Sequence, residues 1–230
     1  MVSLWHQLLD LLAPRLCTVC GRRLSPKEQV LCVSCNMHLP RTGFQLNAYD
    51  NVMARLFWGI IPVERVAALF HYEADSNVNN IVYDLKYRNH PEVGREMGCL
   101  MACECNEAGF FDGIDAIVPV PLARKRQRQR GYNQSLCIAE GLSRVTGIPV
   151  YNKVIYRTKF VISQTQIGHR ERQENVAGVF KLKDADAIRG RHILLVDDVV
   201  TTGATMTACA KELLKAGHVK LSLLSLGFAK

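Results

Sequence analysis

The chain has 230 residues, is 48% hydrophobic and 22% charged, and carries a formal net charge of +8. That apolar fraction supports a packed core and excludes wholesale disorder, while the length fits one domain of ordinary size plus a small appendage. No apolar run approaches the ~18 residues of a membrane-spanning helix, so no membrane insertion is expected. The positive balance predicts an anionic partner and leaves nucleic acid, a polyphosphate metabolite and a membrane surface all open.

In chain order, residues 1–16 read as an amphipathic helix, with Leu4, Leu8, Leu11 and Leu12 on one face and Pro14 ending it. Its start lacks the basic residues of a signal peptide, and its polar face is too poor in Lys and Arg for membrane docking. Residues 17–40 form a cysteine segment, and 41–62 show no clear period. A strand is expected over Val66–Tyr72, helices over Asn77–Arg88 and Pro91–Cys105, and a buried strand over Ile114–Val120. A basic loop follows, then a helix over Asn133–Thr146, a strand over Val150–Tyr156 and a polar stretch over 157–178. Strand Ile193–Val196, helix Ala204–Ala216 capped by Gly217, and strand Val219–Leu226 complete the chain. Alternating strands and helices argue for an α/β fold on a parallel sheet.

The nine cysteines are odd in number and unevenly spaced, which favours a reducing, cytoplasmic setting over a secreted disulfide framework. Four of them form Cys17-x-x-Cys20 and Cys32-x-x-Cys35, separated by eleven residues. Two such pairs on separate turns can converge on one tetrahedral Zn²⁺, and four thiolates leave no open position, so the site is expected to be structural. His38 is surplus to it. Cys99, Cys103 and Cys105 fall on a predicted helix and read as small core residues.

The sharpest signal is Ile193-Leu-Leu-Val-Asp-Asp-Val-Val-Thr-Thr-Gly-Ala-Thr205. A short apolar strand delivers two carboxylates to its carboxyl end, where open α/β sheets bind ligands. Thr201, Thr202, Gly203, Ala204 and Thr205 then offer hydroxyls, backbone N–H groups and a helix N-terminus, a combination that suits a phosphate. Asp197 and Asp198 would repel a phosphate but suit hydroxyls, such as those of a ribose, or a nearby Mg²⁺. No GxxxxGK[ST] and no GxGxxG occurs. The segment resembles the PRPP-binding motif of type I phosphoribosyltransferases. That resemblance implies that Asp197 and Asp198 hold the ribose hydroxyls of PRPP and that Thr201 to Thr205 hold its 5-phosphate, with Mg²⁺ accompanying the pyrophosphate.

The run Arg124, Lys125, Arg126, Arg128, Arg130 directly follows the strand ending Val118-Pro-Val-Pro121. By the same resemblance, the loop after this strand cradles the pyrophosphate, with Pro121, Leu122, Arg124 and Arg126 as candidates. The polar stretch 157–178 resembles the flexible hood of amidophosphoribosyltransferases, with Lys159, Gln164 and Arg170 as candidates there. Taken with Leu85-Lys-Tyr87 and Arg130-Gly-Tyr-Asn-Gln134, the whole chain resembles the ComF family. Its members are cytoplasmic proteins with a zinc-finger head on a type I phosphoribosyltransferase fold, several of them tied to natural competence.

The reading is therefore an α/β, type I phosphoribosyltransferase fold, a parallel sheet flanked by helices, with a small N-terminal zinc ribbon. The expected divisions are 1–16, 17–40 and 41–230. The expected activity is Mg²⁺-dependent transfer of a phosphoribosyl group from PRPP to an unknown acceptor base. The alternative is a non-catalytic module that keeps a PRPP site and binds single-stranded DNA or a competence helicase. Against a single-strand groove, no aromatic residues interleave with the 124–130 arginines in sequence, Tyr132 being nearest. A PRPP-sensing regulator ranks last because no helix-turn-helix is evident.

Overall fold

The computed structural model describes residues 14–73, 75–158 and 178–229. A four-stranded sheet forms its centre, built from β1 (Arg65–His71), β2 (Ala116–Pro119), β5 (His192–Val200) and β6 (Lys220–Phe228). The strand order is β1-β6-β5-β2. All three pairings are parallel, with Val196 opposite both Pro119 and Leu224. The Ile, Leu and Val runs of β5 and β6 are buried on both faces, as parallel strands must be when helices cover each side.

Alternation along the strands divides the core in two. Ala67, Leu69, Ile117, Leu194, Val196 and Leu224 meet three helices, α2 (Asn79–Tyr87), α3 (Pro91–Glu107) and α5 (Gln134–Thr146). Val66, Ala68, Val118, Ile193, Leu195 and Leu223 face Met53, Phe57 and the helix α6 (Ala204–Leu213). Helices α3 and α5 cross in backbone contact. A Cβ on Gly141 would stand 2.0 Å from the Arg95 carbonyl oxygen, and one on Gly98 would stand 2.3 Å from that of Ile138. A small antiparallel hairpin of β3 (Ile155–Arg157) and β4 (Phe180–Leu182) is tied to α6 by Leu182 N–H donating to Glu212 Oε1 at 3.1 Å.

The cysteine segment, with its short helix α1 (Val33–Met37), packs directly on this body. Cys17, Leu24, Leu31, Cys32 and Leu39 share a core with Met97 and Met101 of α3. Arg41 pins the arrangement, bonding Asn36 and forming an ion pair with Glu104 at 2.7 Å.

Several expectations need correction. Residues Arg124–Arg130 are not a loop but the helix α4. Every one of its seven residues is polar, so no apolar period announced it. The strand carrying the acid pair runs on to Val200, so both aspartates lie within it. The expected strand Val150–Tyr156 reduces to a bridge between Val150 and Ile117 and the strand β3. Helix α6 stops at Leu213 and tightens into a 3₁₀ turn over Leu214–Ala216, capped by Gly217. Cys105 is buried and Cys99 partly so, but Cys103 is exposed and is no core residue. Among the described residues, no helix is long and apolar enough to cross a membrane. The expected helix over 1–16 and the hood candidates Lys159, Gln164 and Arg170 fall largely or wholly outside the described residues.

Candidate functional site

The carboxyl ends of β2 and β5 lie side by side, joined by Val120 N–H donating to the Val196 carbonyl at 2.9 Å. Just beyond this bond, Asp197 is met by a side chain of α5 and Asp198 by one of α2. Asp197 Oδ1 accepts from Ser135 Oγ at 3.0 Å and from the Asp198 N–H at 2.9 Å. Asp198 Oδ1 accepts from the Val199 N–H at 2.7 Å and pairs with Lys86 Nζ at 3.0 Å. Burial, reinforced by the charge of Asp198, pushes the Asp197 carboxyl up to about 7, although its bonds to the Asp198 N–H and Ser135 and the charge of Lys86 pull the other way. Asp197 therefore does not carry its full charge easily and is receptive to hydrogen-bond donors or a cation.

The turn after the strand forms a small polar cup lined by Asp197, Val199, Val200 and Thr201 to Met206. Thr201 and Thr202 are exposed. Threonines at this position could serve merely to cap the helix, but no side chain caps α6. Its leading N–H groups are thus left for an anion, and the helix dipole favours one. Gly203 holds φ +73°, and a Cβ there would meet the Phe57 ring at 2.9 Å. Both the left-handed backbone and the ring packed beneath the turn therefore require glycine.

Pro121 and Leu122 sit immediately beyond β2, on the rim beside the acid pair, and lead into α4. Arg126 lies near enough to Arg157 for its charge to be felt there. Arg157 is half-buried at the end of β3, stacked 5.4 Å over Phe180. Burial and the repulsion of Arg126 lower its affinity for a proton, while Asp197 raises it. Arg157 thus feels the charges of both Asp197 and Arg126. Among the described contacts, none links Arg124 to it.

Sequence reasoning missed Lys86, Ser135, Phe57 and Arg157. Two segments quoted above for their family likeness prove to be the struts of the site. Tyr132 Oη donates to the Leu85 carbonyl at 2.7 Å, which ties the α4–α5 turn to the end of α2 beside Lys86. Asn133 donates to the Val120 carbonyl at 3.0 Å and caps α5 by accepting from Ser135 N–H at 3.2 Å. That cap sets Ser135 against Asp197.

A second site lies in the N-terminal segment. The Sγ atoms of Cys17, Cys20, Cys32 and Cys35 all lie within 4.8 Å of one another. Cys17 Sγ accepts from the Cys32 N–H, and Cys32 Sγ from the Cys35 N–H, each at 3.4 Å. Burial alone would raise the Cys17 thiol, but backbone N–H groups of Cys20, Cys32 and Val19 bring it down to about 7. Four convergent thiols with amides aimed at sulfur form a donor set that can hold a metal ion. His38 is exposed, its ring turned to the Ser34 carbonyl at 2.8 Å, and takes no part.

Comparison with known proteins agrees with this anatomy. Residues 134–227 match the model of the phosphoribosyl transferase domain. The chain is 30% identical over 205 residues to the DNA utilization protein YhgH of Escherichia coli (strain K12), covering 88% of this chain and 85% of that one. It is 26% identical over 223 residues to competence protein F of Haemophilus influenzae, covering 93% and 96%. A shorter match, 31% over 103 residues, joins it to competence protein ComFC of Bacillus subtilis, covering 44% and 39%. With a phosphoribosyl transferase domain on a parallel sheet and a four-cysteine segment packed against it, this chain belongs to the ComF family of competence and DNA-utilisation proteins.

Proposed function

We propose that the chain binds PRPP at the carboxyl edge of its sheet and transfers the phosphoribosyl group to a nitrogen acceptor. The observation that carries this reading is the juxtaposition of a close acid pair with an uncapped, hydroxyl-lined helix start. Asp197 and Asp198 take the ribose 2- and 3-hydroxyls. Thr201 to Thr205 take the 5-phosphate through hydroxyls and N–H groups. Pro121, Leu122 and Arg126 border the pyrophosphate, and Lys159, Gln164 and Arg170, outside the described residues, are the candidates for further contacts with the ligand.

The two carboxylates fit a Mg²⁺ shared with a ligand's phosphates, since that ion is commonly held by one or two carboxylates. When bound there it would neutralise charge on the departing pyrophosphate. The chain's own contribution is positional. The ribose is clamped at one end by the acid pair and at the other by the turn, so the acceptor nitrogen meets C1 in a fixed orientation. Diol protons donated to Asp197 favour its ionised form. Arg126 and Arg157 stabilise negative charge leaving the site. No side-chain nucleophile is required. Cys17, Cys20, Cys32 and Cys35 hold a structural Zn²⁺. We place the physiological role in DNA uptake, following the names of the relatives.

The test is release of pyrophosphate from PRPP in the presence of Mg²⁺, screened across purine, pyrimidine and pyridine bases. Release that depends on one class of base, and that falls at least about a hundredfold in Asp197→Ala/Asp198→Ala, is expected. Binding of PRPP without release for any base would leave the site as a sensor and overturn the transfer step.

A further inference from the structure

The segment 44–63 is apolar both inward and outward. Inward, Met53, Ala54, Phe57 and Ile61 join Val66, Ala68 and Leu195 in the core. Outward, Leu46, Tyr49, Val52, Trp58 and Ile60 keep 44–80% of their surface exposed. These five large apolar side chains fall within fifteen consecutive residues. One apolar side is enough to pack a segment on its own fold, so the outward set is not explained by this fold.

The chain here also closes the outer edge of β1. His71 N–H donates to the Pro40 carbonyl at 2.8 Å, Thr42 N–H to the Leu69 carbonyl at 3.1 Å, and Val66 N–H to the Ala48 carbonyl at 2.8 Å. Asn51 Nδ2 donates to the Val66 carbonyl at 2.9 Å. A partner therefore cannot add a strand at this edge and must pack against side chains. From residue 44 to residue 63 the charged side chains are Asp50 and Arg55 alone. They pair with each other at 2.8 Å, and the Arg55 guanidinium lies 5.8 Å over the Trp58 ring. The patch is thus neutral on a chain whose net charge is +8.

We propose that Leu46, Tyr49, Val52, Trp58 and Ile60 form the interface of a homodimer, with a second copy of this chain as the occupant. Charge selects a second copy. Two chains of net charge +8 repel one another, and they do so least where neutral patch meets neutral patch. An acidic partner gains little here, because the one cation of the patch already has its carboxylate. Area agrees with this choice. At roughly 150–250 Å² for a fully buried ring, Tyr49 and Trp58 offer about 200 Å², and with the three aliphatic side chains the patch reaches about 500 Å². A standard interface covers about 800 Å² on each partner, about 65% of it apolar in homodimers, which is the same apolar area. A twofold axis sets patch against patch, so each copy covers the same five side chains of the other. The inference does not depend on the PRPP reading.

The test is sedimentation velocity of the full, zinc-loaded chain from about 1 to about 100 µM, at low and high salt. A dimer with a Kd of about 10 µM or tighter is expected, and it should tighten as salt rises, because screening relieves the repulsion between two cationic copies. Leu46→Arg and Trp58→Arg place a cation in the patch, and each should raise the Kd at least about tenfold. Val145→Arg adds the same charge at an exposed apolar position on α5 and should leave the Kd near that of wild type. An unchanged circular dichroism spectrum in the two patch variants separates loss of the interface from misfolding. A wild type that stays monomeric at about 100 µM would overturn the proposal, whether it stays free or docks on neutral phosphatidylcholine vesicles. So would a dimer that dissociates as salt rises, that survives both patch variants, or that Val145→Arg disrupts as strongly.

Discussion

The cysteine segment and the acid–threonine turn concentrate the most reactive groups of this chain, and they are built on opposite plans. The first turns its four donors on one another and buries Cys17 and Cys32 in the same core as α3. The second presents its groups outward: an uncapped helix start, two exposed threonines, and an Asp197 carboxyl pressed by the charge of Asp198. A group satisfied by its neighbours stabilises a fold, whereas a group left unsatisfied in a fixed place is available to a ligand. The contrast predicts that damage to the cysteines costs stability, while most damage to the turn costs binding.

The largest effect should come from the cysteines. With the Zn²⁺ proposed above, Cys17→Ser or a chelator should destabilise the whole chain by about 3 kcal/mol or more, because the segment shares its core with the body. A melt in which only the N-terminal segment loosens would break the comparison. Gly203→Val comes next and is the one position of the turn that should behave structurally. It combines a left-handed backbone with a clash against Phe57, and a loss of about 2–4 kcal/mol is expected in chemical denaturation. Lys86→Met leaves Asp198 without its cation in a partly buried place and should cost about 1–3 kcal/mol.

The smallest effect has the opposite sign. Asp197 holds its proton up to about 7 in the folded chain but only to about 4 when unfolded. Between those values the folded state binds more protons, so ligand-free stability should fall as pH rises from about 4 to about 7. Asp197→Asn should remove that slope and, above pH 7, stabilise the ligand-free protein while weakening ligand binding. Denaturation midpoints at pH 5, 6, 7 and 8 decide this. A wild-type stability that rises steadily over that range would contradict it.

What was legible in the sequence follows the same division. The cysteine pairs and the segment from Val196 to Thr205 are contiguous or regularly spaced, so residue type and interval alone point to their chemistry. The sheet was legible because buried parallel strands are unbroken apolar runs. The supports of the turn were not, because they arrive through the fold. Ser135 bonds a carboxylate 62 residues away, and Phe57 reaches the turn from a segment without any period. Helix α4 is entirely polar and carried no periodic signal. The ring that Arg130 covers, Tyr87, lies on another helix, out of reach of the linear pattern.

The central claim, that the open turn takes PRPP, is tested most directly by calorimetric titration of PRPP with Mg²⁺ into zinc-loaded protein, beside Asp197→Ala/Asp198→Ala. The account predicts micromolar binding to the wild type, release of protons near neutral pH, and loss of binding in a variant that still folds. A folded wild type that takes up no PRPP, or a double variant that binds as tightly, would contradict it.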